Sequence, residues 1–145
     1  MDLWRLYRAA HGPGLDGTGG LYAAGRWHEL GSRVVYFGAS PSIVTLERLA
    51  HVDPALLPAD LVLARYEGGL SMTEVVTGEV ADIHDLRQTR ARGEAFLKAK
   101  ATCVLRVPSV IVPEEQNLLL NPLHPEASKI QLVFSRDFTF DSRLL

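Results

Sequence analysis

One glutamate lies on the apolar, inward-facing side of a predicted helix. The stretch Ser40 to Val52 opens with a serine and a proline, which suit the N-cap and the first turn of a helix. At 100° per residue, Glu47 and His51 fall inside the apolar arc and Arg48 falls outside it; the arc is formed by Ile43, Val44, Leu46 and Ala50. Because an unpaired charge is too costly to bury, Glu47 pairs with an arginine, lines a cleft as catalytic carboxylates do, or grazes solvent at the rim.

An arginine and a tyrosine come shortly before that helix. Arg26 follows the loop from His11 to Gly20, which holds five glycines and a proline and matches neither a P-loop nor a dinucleotide-binding fingerprint. A guanidinium after such a loop suits a phosphate or carboxylate, the alternative being a surface arginine stacked on Trp27. Tyr36 lies on a predicted strand just before the helix, where it either packs at the sheet rim or shares a cleft with Glu47.

A hydroxyl group also lies in an apolar segment of the second half. Ser109 stands between Val107 and Pro113 without the glycines of a nucleophile elbow, which disfavours a serine hydrolase triad. The five histidines show no His-x-x-x-His spacing, and with one cysteine they form no recognisable ligand set, so we predict no metal. Cys103 alone allows no intrachain disulfide, which favours a reducing compartment.

Short strands and a few helices are expected to position these residues. The predicted strands are Leu3–Arg8, Arg33–Phe37, Leu61–Tyr66, Met72–Thr77, Cys103–Val107, Ser109–Val112, Lys129–Phe134 and Phe138–Asp141. Gly68-Gly69 predicts a hairpin between the third and fourth of them, and the stretch from Asp82 to Ala101 is predicted to be helical over its second half. Strands and helices do not alternate regularly, which favours a mixed α+β domain around a curved sheet over a doubly wound fold.

Composition limits the classes of function. The 145 residues include 47% hydrophobic residues and carry a formal net charge of −2, which fits one domain spanning residues 1–145 and disfavours nucleic acid as the primary ligand. No window approaches the roughly 18 apolar residues of a membrane span, and no signal sequence opens the chain, so we expect a cytoplasmic protein. Arginine is in excess over lysine, a pattern that high-GC coding explains without any ligand.

An ordered set of motifs covers nearly the whole chain and strongly resembles the RES domain. The motifs are Gly25-Arg26-Trp27-His28, Val34-Val35-Tyr36, Leu46-Glu47 with His51, Leu105-Arg106-Val107-Pro108-Ser109, the run from Asn117 to Pro122, His124-Pro125, and the run from Phe140 to Leu144. The arginine, glutamate and serine for which that family is named fall on Arg26, Glu47 and Ser109. The family commonly has asparagine where this chain has His28.

The resemblance implies a bacterial type II toxin with a fold similar to that of ADP-ribosyltransferases. Such a toxin consumes NAD+ by cleaving the nicotinamide–ribose bond, as a glycohydrolase or a phosphorylase, and arrests growth. Its implied partner is an Xre-type helix-turn-helix antitoxin encoded beside it, and the toxin is expected as a homodimer within a larger toxin–antitoxin complex. DNA would then be contacted only through the antitoxin, which agrees with the near-neutral charge.

The resemblance also implies roles for individual residues. Glu47 would stabilise positive charge on the ribose, and Arg26 would hold the pyrophosphate. Tyr36 would stack on the nicotinamide, Ser109 would hydrogen-bond the carboxamide or the ribose, and Asn117 would belong to the same NAD+-binding set. Two alternatives stay open: ADP-ribosylation of a protein target, and a catalytically inactive module that only binds the antitoxin. The acceptor, whether water, phosphate or protein, is also open.

Overall fold

The described residues form one mixed sheet with short helices. The computed structural model describes residues 1–68, 76–77 and 79–145. Within these ranges the strands are β1 (Asp2–Arg8), β2 (Val35–Gly38), β3 (Leu61–Glu67), β4 (Val76–Thr77), β5 (Val104–Pro108), β6 (Gln116–Leu120) and β7 (Gln131–Asp137). The α-helices are α1 (Gly19–Tyr22), α2 (Pro41–His51) and α3 (Leu86–Ala99), and short 3-10 helices cover Ala9–His11, Pro54–Leu56, Pro125–Lys129 and Ser142–Leu144.

The strand order is β4-β5-β6-β2-β1-β3-β7. Every neighbouring pair in that order is antiparallel except β4 and β5, which are parallel. The mixed α+β class predicted from the sequence is therefore confirmed. The order also brings the ends of β5 and β6 close to the end of β2, from which the chain enters α2.

Each face of the sheet supports its own apolar cluster, because side chains alternate along a strand. The larger cluster includes Leu3, Val35, Phe37, Tyr66, Val104, Leu118 and Leu120. The opposite face is covered by helices. Val44 of α2 packs with Leu6 and Leu63, and Phe96 and Leu97 of α3 pack with Leu105, Val107 and Leu119. We call this second face the helix face.

Two glycines let the helices approach the rest of the fold. A Cβ at Gly38, on β2, would lie 2.5 Å from Ile43 Cγ2 and 2.6 Å from Val44 Cγ1. A Cβ at Gly93, on α3, would overlap the backbone carbonyl of Trp27. The first contact places α2 directly over the end of β2, and the second places α3 directly on the segment that contains Arg26.

The Gly93 contact predicts a large loss of stability when alanine replaces this glycine. Overpacking typically costs about 1–3 kcal/mol, and we expect the upper end of this range here because the obstacle is backbone. The higher helix propensity of alanine offsets only about 1 kcal/mol of that cost. Urea unfolding should show a lower midpoint for Gly93→Ala. Gly14→Ala is the matched control, since a Cβ there meets nothing within 4 Å. Equal midpoints for the two variants would contradict the close packing of α3.

Several predicted elements are confirmed with small shifts, and three predictions fail. The expected helix is α2, whose N-cap Ser40 accepts a hydrogen bond from the Ile43 N–H at 3.2 Å. The predicted strand Ser109–Val112 is wrong, because these residues form the connection between β5 and β6, where the Ser109 hydroxyl accepts two backbone N–H groups. The predicted strand Phe138–Asp141 is also wrong: β7 ends at Asp137.

The predicted hairpin after β3 does not form as expected. Val76–Thr77, the described end of the predicted strand Met72–Thr77, pairs in parallel with β5. The partners of β3 are instead β1 and β7. The other predicted hairpin residues, from Gly69 to Val75, lie outside the described residues. The parallel pairing with β5 was not foreseen because it joins segments nearly 30 residues apart.

Candidate functional site

Glu47 points from α2 toward the end of the sheet and is held by two uncharged donors. Its Oε1 accepts a hydrogen bond from Ser109 Oγ at 2.8 Å and another from Asn117 Nδ2 at 2.7 Å. Its side chain is 23% exposed, and His51 Nε2 lies 3.7 Å from Oε2. Glu47 is therefore fixed by neutral hydrogen-bond donors, with part of its side chain open to solvent. No arginine among the described residues pairs with Glu47, so the cleft and the solvent-exposed rim are the alternatives that agree with the structure.

The β5–β6 hairpin explains why these two donors converge on Glu47. Val107 and Asn117 are directly paired, and the Ser109 N–H continues the pairing by donating to the carbonyl of Glu115 at 2.9 Å. Ser109 and Asn117 thus project from adjacent strand ends on the helix face, beneath α2. The hydrogen-bond donors to Glu47 therefore come from residues about 60 to 70 positions later in the chain.

The Ser109 hydroxyl has its proton directed by its surroundings. Ser109 is 1% exposed, and its Oγ accepts the N–H groups of Ile111 and Val112 at 3.1 and 3.2 Å. A hydroxyl has one proton to donate, and here that proton goes to Glu47. Ser109 therefore links the turn after β5 to the carboxylate.

Ser109→Ala should lower both stability and the order of Glu47. The substitution leaves two backbone N–H groups without their acceptor and removes one donor from the carboxylate, at a cost of about 1–3 kcal/mol in the free energy of unfolding. Chemical denaturation measures this loss. Ser42→Ala, at an exposed position of α2, should change stability little. A loss of the same size in both variants would show that the Ser109 network adds nothing.

The buried side of α2 is rotated from the predicted one. Ile43 and Val44 are buried as expected, but Leu46 is 37% exposed, and Arg48, which was expected outside the core, is half-buried. The prediction that His51 points inward is wrong, since its side chain is 68% exposed. Contact with the sheet, and not the apolar residues of the helix alone, decides which side is buried.

Arg26 lies on a segment that α3 holds from below. Thr89 Oγ1 donates to the carbonyl of Arg26 at 2.5 Å, and Arg90 Nε donates to the carbonyl of Gly25 at 2.8 Å. Trp27 is 2% exposed and belongs to the apolar cluster under α3. The guanidinium itself donates through Nη1 to the carbonyl of Ile83 at 3.1 Å. Arg26 is therefore a half-buried, oriented cation.

Tyr36 and His28 form a hydrogen-bonded pair beside that segment. Tyr36 Oη lies 2.7 Å from His28 Nδ1 and accepts the Trp27 N–H at 3.2 Å. His28 Nε2 lies 2.7 Å from the carbonyl oxygen of Ala23, and the His28 side chain is buried. Burial raises the pKa of the Tyr36 hydroxyl well above its usual range, so Tyr36 stays neutral.

A cavity of about 380 Å³ adjoins these residues. One wall is formed by Glu79, Val80, Ala81, Ile83 and His84, and the other by Pro108, Ser109, Val110 and Pro113. Ser109 connects this cavity to Glu47, and Ile83 connects it to Arg26. A second cavity of about 410 Å³ lies on the opposite face of the sheet and is lined by none of the predicted site residues.

The structure thus places all five predicted residues on the helix face, in two connected groups. Glu47, Ser109 and Asn117 form the first, and Arg26 and Tyr36 form the second around the Trp27 backbone. Sequence reasoning missed the segment 79–84: it assigned no role to residues 79–81 and took residues 82–84 only as the start of the stretch that becomes helical. The apolar residues Val80 and Ile83 within that segment were the available signal, since both pack against the cluster under α3.

Two further features concern metal binding and membranes within the described ranges. No cluster of three or more His, Cys, Asp or Glu side chains there is placed to hold a metal ion. None of the described helices is long and apolar enough to cross a membrane. The absence of a metal from the reaction remains a prediction.

Comparison with known proteins defines the class. The model of the RES domain family matches residues 2–141, and the chain belongs to this family. The protein named Toxin Res from Pseudomonas putida strain KT2440 is 40% identical, over 99% of each chain. The protein named Prs ADP-ribosylating toxin from Sphingobium sp. strain YBL2 is 34% identical over 99% of this chain and 96% of its own. The family predicted from the sequence motifs is confirmed.

A solved structure supports the same fold. A chain in the crystal structure of the M. tuberculosis MbcT–MbcA toxin–antitoxin complex superimposes with a TM-score of 0.74 at 16% identity, covering 95% of this chain and 84% of that one. Together with the relatives named Toxin Res, this places the chain among the RES toxins of toxin–antitoxin systems.

Proposed function

We propose that this RES toxin consumes NAD+ by breaking the bond between nicotinamide and ribose. The observation that carries the proposal is the Glu47 carboxylate, fixed by Ser109 and Asn117, with Ser109 lining the cavity whose other wall holds Ile83, the hydrogen-bond partner of Arg26. A relative 34% identical to this chain is named as an ADP-ribosylating toxin, which also supports chemistry at that bond.

Glu47 supplies the negative charge that this reaction needs. As the glycosidic C–N bond breaks, its electron pair leaves with nicotinamide, and positive charge develops on the ribose. The acceptor oxygen then bonds to the same ribose carbon. A carboxylate already held in place stabilises that charge without reorganising during the reaction. Ser109 and Asn117 both bind Oε1, so Oε2, which His51 Nε2 approaches only to 3.7 Å, is the oxygen that would face the ribose.

Ser109 and Asn117 act, in this proposal, as positioning residues for Glu47. Ser109 is buried, and its proton is directed to the carboxylate. Its direct contact with the carboxamide or ribose, and the place of Asn117 in the NAD+-binding set, stay predictions. The Ser109 hydroxyl already makes three hydrogen bonds, whereas Asn117 binds Glu47 through Nδ2 and keeps its Oδ1 for the substrate.

Arg26 would bind the pyrophosphate of the substrate, and Tyr36 would bind its nicotinamide. A guanidinium has five N–H donors, and the Ile83 carbonyl accepts from one of the two Nη atoms of Arg26. The other donors suit a pyrophosphate, which guanidinium groups bind in a bidentate manner. Tyr36 offers its ring as a flat surface for the nicotinamide.

The proposed partners follow from the same family. We propose an Xre-type helix-turn-helix antitoxin, with DNA contacted through it, because this chain carries a net charge of −2. We also propose a homodimer of the toxin within that complex and action in the cytoplasm. Mass measurement of the purified complex and of the separated toxin tests both stoichiometries.

The direct test separates the acceptors. Protein freed from its antitoxin by denaturation and refolding is incubated with NAD+ in phosphate and in phosphate-free buffer, and the products are identified by mass spectrometry. Nicotinamide with free ADP-ribose indicates hydrolysis, and nicotinamide with phosphorylated ADP-ribose indicates phosphorolysis. If the refolded protein releases no nicotinamide in either buffer, the proposal is wrong.

Protein ADP-ribosylation is the second candidate, and the name of the Sphingobium relative favours it. Both candidates use the same Glu47 and differ in the acceptor alone. Incubation of the toxin with labelled NAD+ and a cell lysate distinguishes them. A labelled protein band that is absent from a Glu47→Gln control supports transfer to a protein, whereas label found only in small molecules supports hydrolysis or phosphorolysis.

A further inference from the structure

His28 is a buried histidine whose two ring nitrogens are both engaged. It is 4% exposed, with Nε2 2.7 Å from the carbonyl oxygen of Ala23 and Nδ1 2.7 Å from the hydroxyl of Tyr36. The charged groups near Tyr36 are Arg90, Glu94 and Arg26. The Glu94 carboxylate accepts hydrogen bonds from Ser32 Oγ at 2.8 Å and from the Glu29 N–H.

The partners of His28 select one tautomer. A carbonyl oxygen only accepts hydrogen bonds, so Nε2 carries the proton that Ala23 accepts. In the neutral imidazole Nδ1 is then an acceptor, and it accepts a hydrogen bond from the Tyr36 hydroxyl. The same hydroxyl oxygen accepts the N–H of Trp27. The Tyr36 hydroxyl therefore donates its one proton in a hydrogen bond to His28.

Close packing joins this pair to the turn that contains Arg26. A Cβ at Gly25 would lie 2.7 Å from Tyr36 Oη and 2.7 Å from His28 Cε1, so the turn lies directly against both side chains. The Gly25 N–H also donates to the carbonyl of His28 at 3.2 Å. The turn that carries Arg26 thus packs on the same hydrogen-bonded pair.

We propose that His28 is a positioning residue, which draws the Tyr36 hydroxyl proton away from the substrate and holds the Gly25–His28 turn in shape. Tyr36 then meets the nicotinamide through its ring and serves as neither acid nor base. This inference rests on the proposed function for the identity of the substrate. The hydrogen bond itself is independent of that function.

Two amide substitutions test which ring nitrogen matters. In His28→Asn the side-chain amide reaches the position of Nδ1 and keeps a partner for Tyr36, whereas in His28→Gln it reaches the position of Nε2 and keeps a partner for Ala23. We expect His28→Asn to stay within about twofold of wild type in kcat/KM for NAD+, and His28→Gln to lose about tenfold, the effect of one hydrogen bond. Equal losses would indicate packing alone and overturn the proposal.

Tyr36→Phe supplies the second arm. It removes the hydroxyl but keeps the ring, so kcat should stay within about tenfold of wild type, and His28→Gln should add no further loss in the Tyr36→Phe background. A loss of kcat as large as that of Glu47→Gln would show that Tyr36 transfers a proton, contrary to the proposal. Additive losses in the double variant would also contradict it.

A measurement on the wild-type protein needs no substrate. The 15N resonances of the histidine ring distinguish a protonated Nε2 from a protonated Nδ1, and we expect the Nε2–H tautomer for His28 at neutral pH. The Nδ1–H tautomer would overturn the proposal even if every variant failed to fold. If wild type binds no NAD+ but shows the Nε2–H tautomer, the proposed function fails and the His28–Tyr36 bond stands.

Discussion

Replacement of Glu47 by glutamine should reduce the kcat of NAD+ cleavage by about 10²–10³-fold while leaving the fold intact, an effect typical of removing one preorganised electrostatic group. The amide has nearly the shape of the carboxylate, and its oxygen can still accept from Ser109 and Asn117. The negative charge that stabilises the ribose cation is lost. Because ground-state contacts change little, KM should change far less than kcat.

Initial rates of nicotinamide release measure this effect. The melting temperatures of wild type and variant should be equal, which shows that the fold is intact. Glu114→Gln makes the same change of charge at an exposed position and should retain full activity. In cells, expression of Glu47→Gln without the antitoxin should no longer arrest growth. Turnover at the wild-type rate would contradict the role of Glu47, and a wild type that neither cleaves NAD+ nor arrests growth would indicate the antitoxin-binding module.

The parts of the fold that local signals determine were predictable. The serine and proline at the start of α2 are short-range features, and the helix begins where they indicate. The inward side of that helix was predicted less well, because a helical wheel assumes that apolar residues point to the core. Leu46 is exposed instead, and the side bearing Glu47 and Arg48 meets the sheet.

The connection after β5 shows why β-branched content can mislead. Val110, Ile111 and Val112 have high strand propensity, yet the Ser109 hydroxyl accepts the N–H groups of Ile111 and Val112, which a strand would need for its own pairing. Strand β6 was missed for the opposite reason. It begins with polar Gln116 and Asn117 and lacks the alternation that marks a half-buried strand.

The site residues were recognisable by type, but their contacts were not. Residue type and position indicated Glu47, Arg26, Tyr36 and Ser109, and the family motifs added Asn117 and the expected roles. That Ser109 and Asn117 bind the carboxylate depends on the pairing of β5 with β6 and on the packing of α2 over β2. These are contacts between distant segments, which no local pattern encodes. The same holds for the hydrogen bond that Thr89 of α3 donates to the carbonyl of Arg26.

Arg26 is the second residue whose replacement should have a large effect. In Arg26→Gln the cation that would bind the pyrophosphate is lost, and we expect kcat/KM for NAD+ to fall by about 10²-fold, within the 2–5 kcal/mol typical of removing one partner of a close charged pair. Arg26→Lys should retain part of the activity, since lysine keeps the charge but lacks the planar fork. Arg87→Gln, on an arginine with a 92% exposed side chain, is the matched control.

Product inhibition distinguishes binding of the pyrophosphate from support of the cleft. ADP-ribose contains the pyrophosphate and nicotinamide does not, so Arg26→Gln should weaken inhibition by ADP-ribose and leave inhibition by nicotinamide unchanged. Since the carbonyl of Arg26 is held by Thr89 whichever side chain is present, the turn should keep its shape in the variant. If inhibition by both products weakens equally, Arg26 acts through its bond to Ile83 and shapes the cavity wall instead of binding phosphate.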